Sequence, residues 1–243
     1  MNKNIIAMWS GPRNLSTAMM RSFENRKDTV VFDEPFYAHY LSVTKLNHPG
    51  RDQILDFQST NWNEVVEKCT NTSFHDKKLC YQKHMAQHNL QGFDISWIKD
   101  VQNCILIRDP KYVIASYEKK IPVKDERHLG YIQQAEIIEF LEKERGITPP
   151  IIDADDILKN PESMMKKLCN VLDIVFYKSM LSWPAGARDS DGVWGAYWYE
   201  GVYESTGFKP YTKKEVNLNQ KLADVYEKCK KHYDSFYEKR IKL

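Results

Sequence analysis

The fold of this chain is predicted first from the stretch NIIAMWSGPRNLSTAMMRSFENR, which runs from Asn4 to Arg26. Its first part, Ile5–Trp9, is a short apolar run that predicts a buried strand. Ser10-Gly11-Pro12 cannot continue a strand or begin a long helix, and Ser16–Phe23 then predicts an amphipathic helix. The chain therefore begins with a strand, a tight turn and a helix start.

This order of elements is typical of a phosphate-binding loop. The first N–H groups of a helix have no partner inside the helix, and the helix dipole also attracts an anion. Arg13 adds a positive charge, and Ser16 and Thr17 add hydroxyl donors. The Walker A pattern GxxxxGK[ST] is absent. A turn in which Ser16 only caps the helix is the alternative.

Composition limits the classes of function. The 243 residues are enough for a single α/β domain over 1–243 with a full core. Lys and Arg number 35 against 33 Asp and Glu, and this net charge of +2 favours neither nucleic acid nor an anionic membrane as a partner. No apolar run predicts a transmembrane helix or a signal peptide. Five scattered cysteines without a CxxC indicate buried thiols in a reducing cytoplasm, not disulfides or zinc.

Four further apolar stretches predict strands that alternate with helices. They are Thr29–Phe32, Leu79–Gln82, Val101–Ile107 and Pro149–Asp153. Strands linked in this way form a parallel sheet covered on both faces. We therefore predict a three-layer α/β/α fold with a central, mainly parallel sheet, which binds its ligand at the carboxyl ends of the strands.

Candidate catalytic residues follow the second and third strands. Glu34 comes directly after the second strand, and Lys83 and His84 end the third, with His88 shortly after. A carboxylate or an imidazole can take a proton from a substrate, and a lysine can stabilise negative charge. We predict Glu34 as the base, with His84 and His88 as the other candidates. A loop acid or a surface histidine is the ordinary role of each residue.

A second anion site is predicted after the fourth strand. Arg108 follows Val101–Ile107, Pro110 suits the first turn of the next helix, and Ser116 lies about two turns along that helix. An ion pair of Arg108 with Asp109 or another acid is the alternative. Two anion sites at one sheet edge are what a nucleotide with two separate phosphate groups needs.

The remaining segments add helices and one unusual loop. Residues 39–76 are predicted as an insertion or lid that includes a helix at 62–69. Further helices are predicted at 125–146, from Pro161, and at 213–243. Residues 183–208 are rich in glycine and aromatic residues without helical or strand periodicity, which favours an ordered functional loop.

In this order of motifs the chain resembles the sulfotransferases that use 3′-phosphoadenylyl sulfate (PAPS), and is most similar to their bacterial sulfotransferase-like group. Residues 11–17 resemble the loop that binds the 5′-phosphosulfate, although Asn14 and Leu15 stand where Ser-Gly is usual. The spacing Arg108-x-Pro110-x5-Ser116 matches the motif for the 3′-phosphate. Residues 151–174 are similar to the strand and helix that follow, and Glu34-Pro35 resembles carbohydrate-type members. Gly192-Val193-Trp194 occupies the place of the loop that closes on the nucleotide.

The resemblance implies a P-loop-type nucleotide-binding fold and transfer of a sulfuryl group from PAPS to a hydroxyl or amine of a small-molecule acceptor. Adenosine 3′,5′-bisphosphate is then the product, and no metal is required. The implied catalytic residues are Glu34, Lys83, His84 and Arg13. The implied nucleotide-binding residues are Gly11, Pro12, Arg13, Asn14, Leu15, Ser16, Thr17, Arg108, Ser116, Arg188 and Trp194.

Two other functions stay open at this point. An ATP-dependent small-molecule kinase would share the fold, but the Walker lysine is missing and ATP has no 3′-phosphate. A nucleotide-binding protein without turnover would fit the altered residues Asn14 and Leu15. The sequence identifies neither the acceptor nor whether the chain forms a homodimer.

Overall fold

The computed structural model describes residues 2–71, 74, 76–213 and 215–243. Within these residues, five strands form one parallel sheet in the order β2-β3-β1-β4-β5. The strands are β1 (Asn2–Ser10), β2 (Thr29–Asp33), β3 (Leu79–Met85), β4 (Val101–Ile107) and β5 (Ile151–Asp153). Every strand predicted from the sequence is present, because each is an apolar run that the sheet buries.

Helices connect the strands and cover both faces of the sheet. They are α1 (Ser16–Glu24), α2 (Tyr37–Thr44), α3 (Arg51–Phe57), α4 (Trp62–Asn71), α5 (Pro110–Tyr117), α6 (Tyr131–Arg145), α7 (Ala154–Lys159), α8 (Pro161–Val171), α9 (Gly195–Trp198), α10 (Glu200–Tyr203) and α11 (Gln220–Lys239). Short 3₁₀ turns lie at 86–88, 96–100, 126–129 and 178–181. None of the described helices is both long and apolar enough to cross a membrane.

Alternate residues of β1 enter two separate cores. Ile6 and Met8 pack with α1 and α8 on one face, whereas Ile5, Ala7 and Trp9 pack with α4, α6 and α11 on the other. All five of these side chains are buried. The predicted three-layer α/β/α arrangement is therefore confirmed, and a strand buried on both faces explains why β1 reads as a continuous apolar run.

Three predictions of helical structure need correction. The helix predicted at 125–146 begins only at Tyr131, because Gly130 has a φ of +82° and separates it from the turn at 126–129. The helix predicted at 213–243 covers only Gln220–Lys239, and the Asn219 side chain caps it by accepting from Leu222 N at 3.0 Å. The loop at 183–208 contains α9 and α10.

Some predicted positions lie outside the described residues. They are Met1 of the predicted domain, Thr72, Ser73 and His75 of the predicted insertion, and Lys214 of the predicted final helix. The described part of the insertion forms α2, α3 and α4. All five cysteines are described, and each is buried with a free thiol.

The parallel register brings the carboxyl ends of the strands to one edge of the sheet. Ser10 of β1 lies beside Met85 of β3, and Asp33 of β2 lies beside Lys83 of β3. Glu34 and Arg108 each follow the last residue of a strand by one position. The sheet therefore places the predicted site residues from distant parts of the chain next to one another.

Candidate active site

A cavity of about 230 Å³ opens at this edge of the sheet. It is lined by the loop between β1 and α1, by the ends of β2, β3 and β4, and by residues around α9 and α10. Most of the predicted site residues line it together: Pro12, Arg13, Asn14, Leu15, Ser16, Thr17, Glu34, Lys83, Arg108 and Ser116.

The loop before α1 has the backbone of an anion-binding turn. Arg13 and Leu15 both adopt left-handed conformations, with φ of +58° and +54°, and helical residues follow from Ser16. Alternation of left-handed and helical residues turns successive N–H groups toward one point. Leu15 holds the N-cap position and no side chain caps the helix. The alternative in which Ser16 only caps α1 is therefore wrong, and the first N–H groups of α1 are left available.

Contacts from neighbouring elements hold the loop in this shape. The Asn14 side chain donates to the carbonyl of Leu106 at 2.9 Å, and Arg108 Nη1 donates to the carbonyl of Arg13 at 3.2 Å. A Cβ on Gly11 would lie 2.3 Å from the carbonyl oxygen of Leu129. Gly11 does not line the cavity but lets the loop pass close to this backbone, which accounts for the glycine at this position.

The loop end of the cavity is cationic. Arg13 Nε donates to Ser116 Oγ at 3.0 Å. Burial and the charge of nearby Arg108 lower the pKa of Arg13. The Arg108 Nε and Asp155 Oδ1 atoms lie 3.6 Å apart, within ion-pair range, and neither has a hydrogen-bond partner. An acid thus lies beside Arg108, but the pair is not closed by a hydrogen bond, which leaves Nε able to bind another anion.

Four buried side chains form a second polar group, which we call the carboxylate–lysine cluster: Asp33, Glu34, Lys83 and Tyr199. Lys83 Nζ donates to Asp33 Oδ1 at 2.9 Å, to Tyr199 OH at 2.6 Å and to Glu34 Oε1. Burial and the neighbouring charge of Asp33 raise the pKa of Glu34, against the opposing effect of Lys83. Burial lowers the pKa of Lys83, but the two carboxylates outweigh it and the net shift is upward.

The backbone of Glu34 is held in an unfavourable conformation. Its φ is +43°, in the left-handed region that non-glycine residues seldom adopt. The Glu34 N–H donates to the carbonyl of Lys83 at 2.9 Å, and the Glu34 carbonyl accepts from Tyr37 N at 3.1 Å and Gln58 Nε2 at 3.2 Å. Backbone strain that is fixed by surrounding contacts occurs often at functional sites, and here it accompanies a carboxylate that lines the cavity.

Aromatic and histidine side chains line another part of the cavity. Tyr37 OH and His48 Nδ1 are 2.8 Å apart, and the His88 ring stacks on both Tyr37 and Tyr40. Burial lowers the pKa of His48 to about 4 and that of His88 well below its usual value, so both rings are neutral near pH 7. His88 Nδ1 is buried without a hydrogen-bond partner. This part of the cavity offers an apolar wall with a few polar atoms and no histidine charge.

His84 does not line the cavity. Its ring stacks on Trp9 at 4.2 Å and its Nε2 lies 3.0 Å from Gln82 Oε1. Burial lowers its pKa to about 3. The side chain belongs to the core between the sheet and α4, since neighbouring residues of a strand point to opposite faces.

Arg188 and Trp194 also lie away from the cavity lining. Arg188 Nη2 donates to the carbonyl of Pro184 at 3.1 Å. Trp194 is fully buried, and its Nε1 donates to Tyr199 OH at 2.9 Å. Trp194 therefore contacts the cavity lining from behind, through Tyr199 and through its ring contact with Tyr37.

Sequence reasoning missed Tyr199 and Asp33. Tyr199 lies in a segment without periodicity, and nothing in its spacing marks it. Asp33 could have been found, because a strand-end acid in register with Lys83 on the next parallel strand would lie beside it.

Residues 3–229 match the family model of the sulfotransferase domain. Two curated proteins of Arabidopsis thaliana are similar: branched-chain-amino-acid aminotransferase-like protein 1 is 40% identical over 224 residues and protein 2 is 35% identical over 225. These matches cover 92% and 93% of this chain, but the chain spans only 40% of the length of each relative.

Two solved structures share the fold. The sulfotransferase domain from the curacin biosynthetic pathway superposes with a TM-score of 0.54 at 16% identity, over 96% of this chain and 97% of that one. The sulfotransferase domain of the Synechococcus PCC 7002 olefin synthase gives 0.53 at 13% identity, over 92% and 93%. At these identities the likeness concerns the fold, and it agrees with the predicted P-loop-type architecture.

Proposed function

This chain belongs to the sulfotransferase family, and from that premise we propose that it transfers the sulfuryl group of PAPS to a hydroxyl or amine of a small-molecule acceptor. One observation carries the proposal: the cationic loop end and the buried carboxylate of Glu34 line the same cavity. Sulfuryl transfer needs both groups, because the leaving phosphate gains negative charge while the acceptor loses a proton.

The donor would bind at the loop end. The free N–H groups at the start of α1 and the Arg13 guanidinium would hold the 5′-phosphosulfate, and Arg108 with Ser116 would hold the 3′-phosphate. Arg108 also fixes the Arg13 carbonyl, so the two phosphate sites are structurally linked. Such preorganised donors are usually the largest source of catalysis in transfers of this kind.

The acceptor would bind against the aromatic and histidine side chains that line the cavity together with Glu34. Its hydroxyl proton passes to Glu34, its oxygen bonds to sulfur, and the bond from sulfur to the bridging oxygen breaks, with the electron pair going to adenosine 3′,5′-bisphosphate. The raised pKa suits Glu34 to this step, because a carboxylate with a higher pKa is a stronger base.

His88 is the second candidate for the base. It lines the cavity, its Nδ1 has no partner, and it is neutral. Burial and the neighbouring charges lower its pKa, which weakens it as a base, whereas the pKa of Glu34 is raised. Glu34→Gln should keep nucleotide affinity and lose turnover by about 10²-fold or more. If His88→Ala loses turnover by this factor and Glu34→Gln does not, the histidine is the base.

A nucleotide panel tests the donor. We expect adenosine 3′,5′-bisphosphate and PAPS to raise the melting temperature more than AMP or ATP–Mg at equal concentrations. A ligand that binds only the folded state adds about 2.7 kcal/mol at a hundredfold excess over Kd. An ATP–Mg preference would support the kinase instead. If the protein binds PAPS but neither transfers the sulfuryl group to any of a panel of alcohols, phenols and amines nor slowly hydrolyses PAPS, it is a nucleotide-binding protein without turnover.

A further inference from the structure

Every polar hydrogen of the Lys83 ammonium is already used inside the carboxylate–lysine cluster. An ammonium has three donors, and Lys83 directs them to Asp33, Glu34 and Tyr199. Lys83 is 1% exposed, so water does not compete for these contacts. In this arrangement the lysine acts on its neighbours in the cluster and has no donor directed at a bound nucleotide.

The Tyr199 hydroxyl is saturated in the same way. It accepts from Lys83 Nζ at 2.6 Å and from Trp194 Nε1 at 2.9 Å. Its own proton goes to Asp33, whose two carboxylate oxygens lie 2.7 Å and 2.8 Å away. Asp33 Oδ2 also accepts from Gly192 N at 3.2 Å. The tyrosine thus joins the segment after α9 to the ends of β2 and β3.

Glu34 is the member of the cluster with an oxygen to spare. Its Oε1 accepts from Lys83 and lies 3.3 Å from Tyr199 OH. Among the hydrogen bonds of the described residues, none reaches Oε2. One oxygen is held and the other is left to receive a proton from the cavity.

We infer that Tyr199 is a positioning residue for Glu34: by holding Lys83 and Asp33 it fixes which oxygen of the base meets the acceptor. This rests on the proposed role of Glu34. Tyr199 does not transfer a proton itself, because its hydroxyl is engaged on all sides by Lys83, Trp194 and Asp33.

Tyr199 also affects the charge state of Glu34, which can be measured. The groups facing Glu34 are Asp33 and Lys83 from the strands, Tyr199, Tyr37 from α2 and Tyr117 from α5; burial and the charge of Glu34 raise the pKa of both Tyr37 and Tyr117. The hydrogen bond of Tyr199 lowers the pKa of Glu34, against the effects of burial and of Asp33 that raise it. Removing the Tyr199 hydroxyl should therefore raise the pKa of Glu34 further, and Glu34 should hold a proton more tightly.

Tyr199→Phe tests this, with Tyr197→Phe as the matched control. Tyr197 lies two residues away, and among the described residues its hydroxyl donates to the exposed Gln53 at 3.1 Å and to no other side chain. The single-turnover rate should fall at low pH as the base becomes protonated, and we call this fall the acidic limb. In Tyr199→Phe we expect the midpoint of the acidic limb to lie about one pH unit higher, so that at a pH below this midpoint the rate is about tenfold lower than in the wild type. Tyr197→Phe should keep the wild-type profile. A lower melting temperature with an unchanged limb would show that Tyr199 only packs.

A second variant and a second readout keep the test independent of folding and of turnover. Asp33→Asn removes the like charge beside Glu34 and should move the limb down instead of up. Infrared spectroscopy detects the protonated carboxyl group of Glu34 directly, and the band is assigned to Glu34 because Glu34→Gln removes it. The midpoint of its pH titration should shift in the same direction as the acidic limb. A midpoint unaffected by Tyr199→Phe overturns the inference. A midpoint that moves while Glu34→Gln retains full turnover overturns the base assignment alone.

Discussion

Arg108→Ala should weaken binding of adenosine 3′,5′-bisphosphate while leaving AMP affinity unchanged. The side chain leaves the end of β4 toward the cavity, and its Nε has no hydrogen-bond partner. A guanidinium can grip two phosphate oxygens at once. A hydrogen bond between charged groups contributes about 1.5–3 kcal/mol, which corresponds to a loss of roughly ten- to a hundredfold in affinity.

A competing contact places the expected loss toward the lower end of this range. Arg108 Nε lies 3.6 Å from Asp155 Oδ1, so a bound phosphate must displace an existing ion pair. The contact is too long for a hydrogen bond, and Arg108 is partly exposed, so its displacement costs little.

Titration calorimetry of both nucleotides against wild type and Arg108→Ala is the assay, with folding checked by circular dichroism. Arg127→Ala is the control, since this side chain is 39% exposed and pairs with Glu136 away from the cavity. Equal weakening of both nucleotides would refute the reasoning: Arg108 would then act only by fixing the Arg13 carbonyl. Wild-type protein that binds AMP as tightly as the 3′-phosphorylated nucleotide would refute the 3′-phosphate site itself.

Three further outcomes are expected. Asp155→Asn removes the competitor of Arg108 and should tighten adenosine 3′,5′-bisphosphate several-fold in the same calorimetry; weaker binding would mean that the carboxylate itself contacts the nucleotide. Lys83→Met should move the acidic limb of the rate to higher pH because Glu34 loses its counter-ion, whereas Arg13→Ala should lower the rate at every pH; a uniform loss in both variants would mean that Lys83 stabilises negative charge on the leaving phosphate instead. His84→Gln should retain turnover and should make stability less sensitive to acid. In the folded wild-type protein burial lowers the pKa of this ring to about 3, so the ring stays neutral while the same histidine in the unfolded chain binds a proton. The free energy of unfolding therefore decreases by about 1.4 kcal/mol for each pH unit by which the solution is acidified below about pH 6.5. Urea titrations between about pH 6 and pH 4 measure that slope, and an unchanged slope in the variant contradicts the burial argument.

The fold was predictable because its strands are short, apolar and bounded by turn residues. A strand such as β4, covered on both faces, needs no alternation, and its composition alone identifies it. Helix bounds were less predictable. Gly130 interrupts an apolar stripe that would otherwise run from residue 125, and the sequence does not show that this glycine adopts a left-handed conformation at the start of α6.

The loop end of the site was predictable for a related reason. It consists of two short motifs, residues 11–17 and 108–116, and within each motif the order and spacing of the residues already predict their geometry. The contact between Arg108 and Asp155 could not be read in the same way, because it depends on β5 pairing with β4. The role of Tyr199 was even less predictable, because no motif includes this residue. It lies in the last third of the chain and contacts Lys83 and Asp33 only after folding.

A buried arginine connects the loop end of the site to the carboxylate–lysine cluster. Arg21, on α1, is 1% exposed and donates from Nη2 to both oxygens of Asp191 at 2.6 Å. The next residue, Gly192, donates to Asp33. Removing one partner of a buried ion pair typically costs about 3–5 kcal/mol, so Arg21→Ala should destabilise the contact between α1 and the segment at Asp191. Through Asp191 and Gly192, the helix whose first N–H groups would bind the donor is connected to the same Asp33 that the Tyr199 hydroxyl contacts.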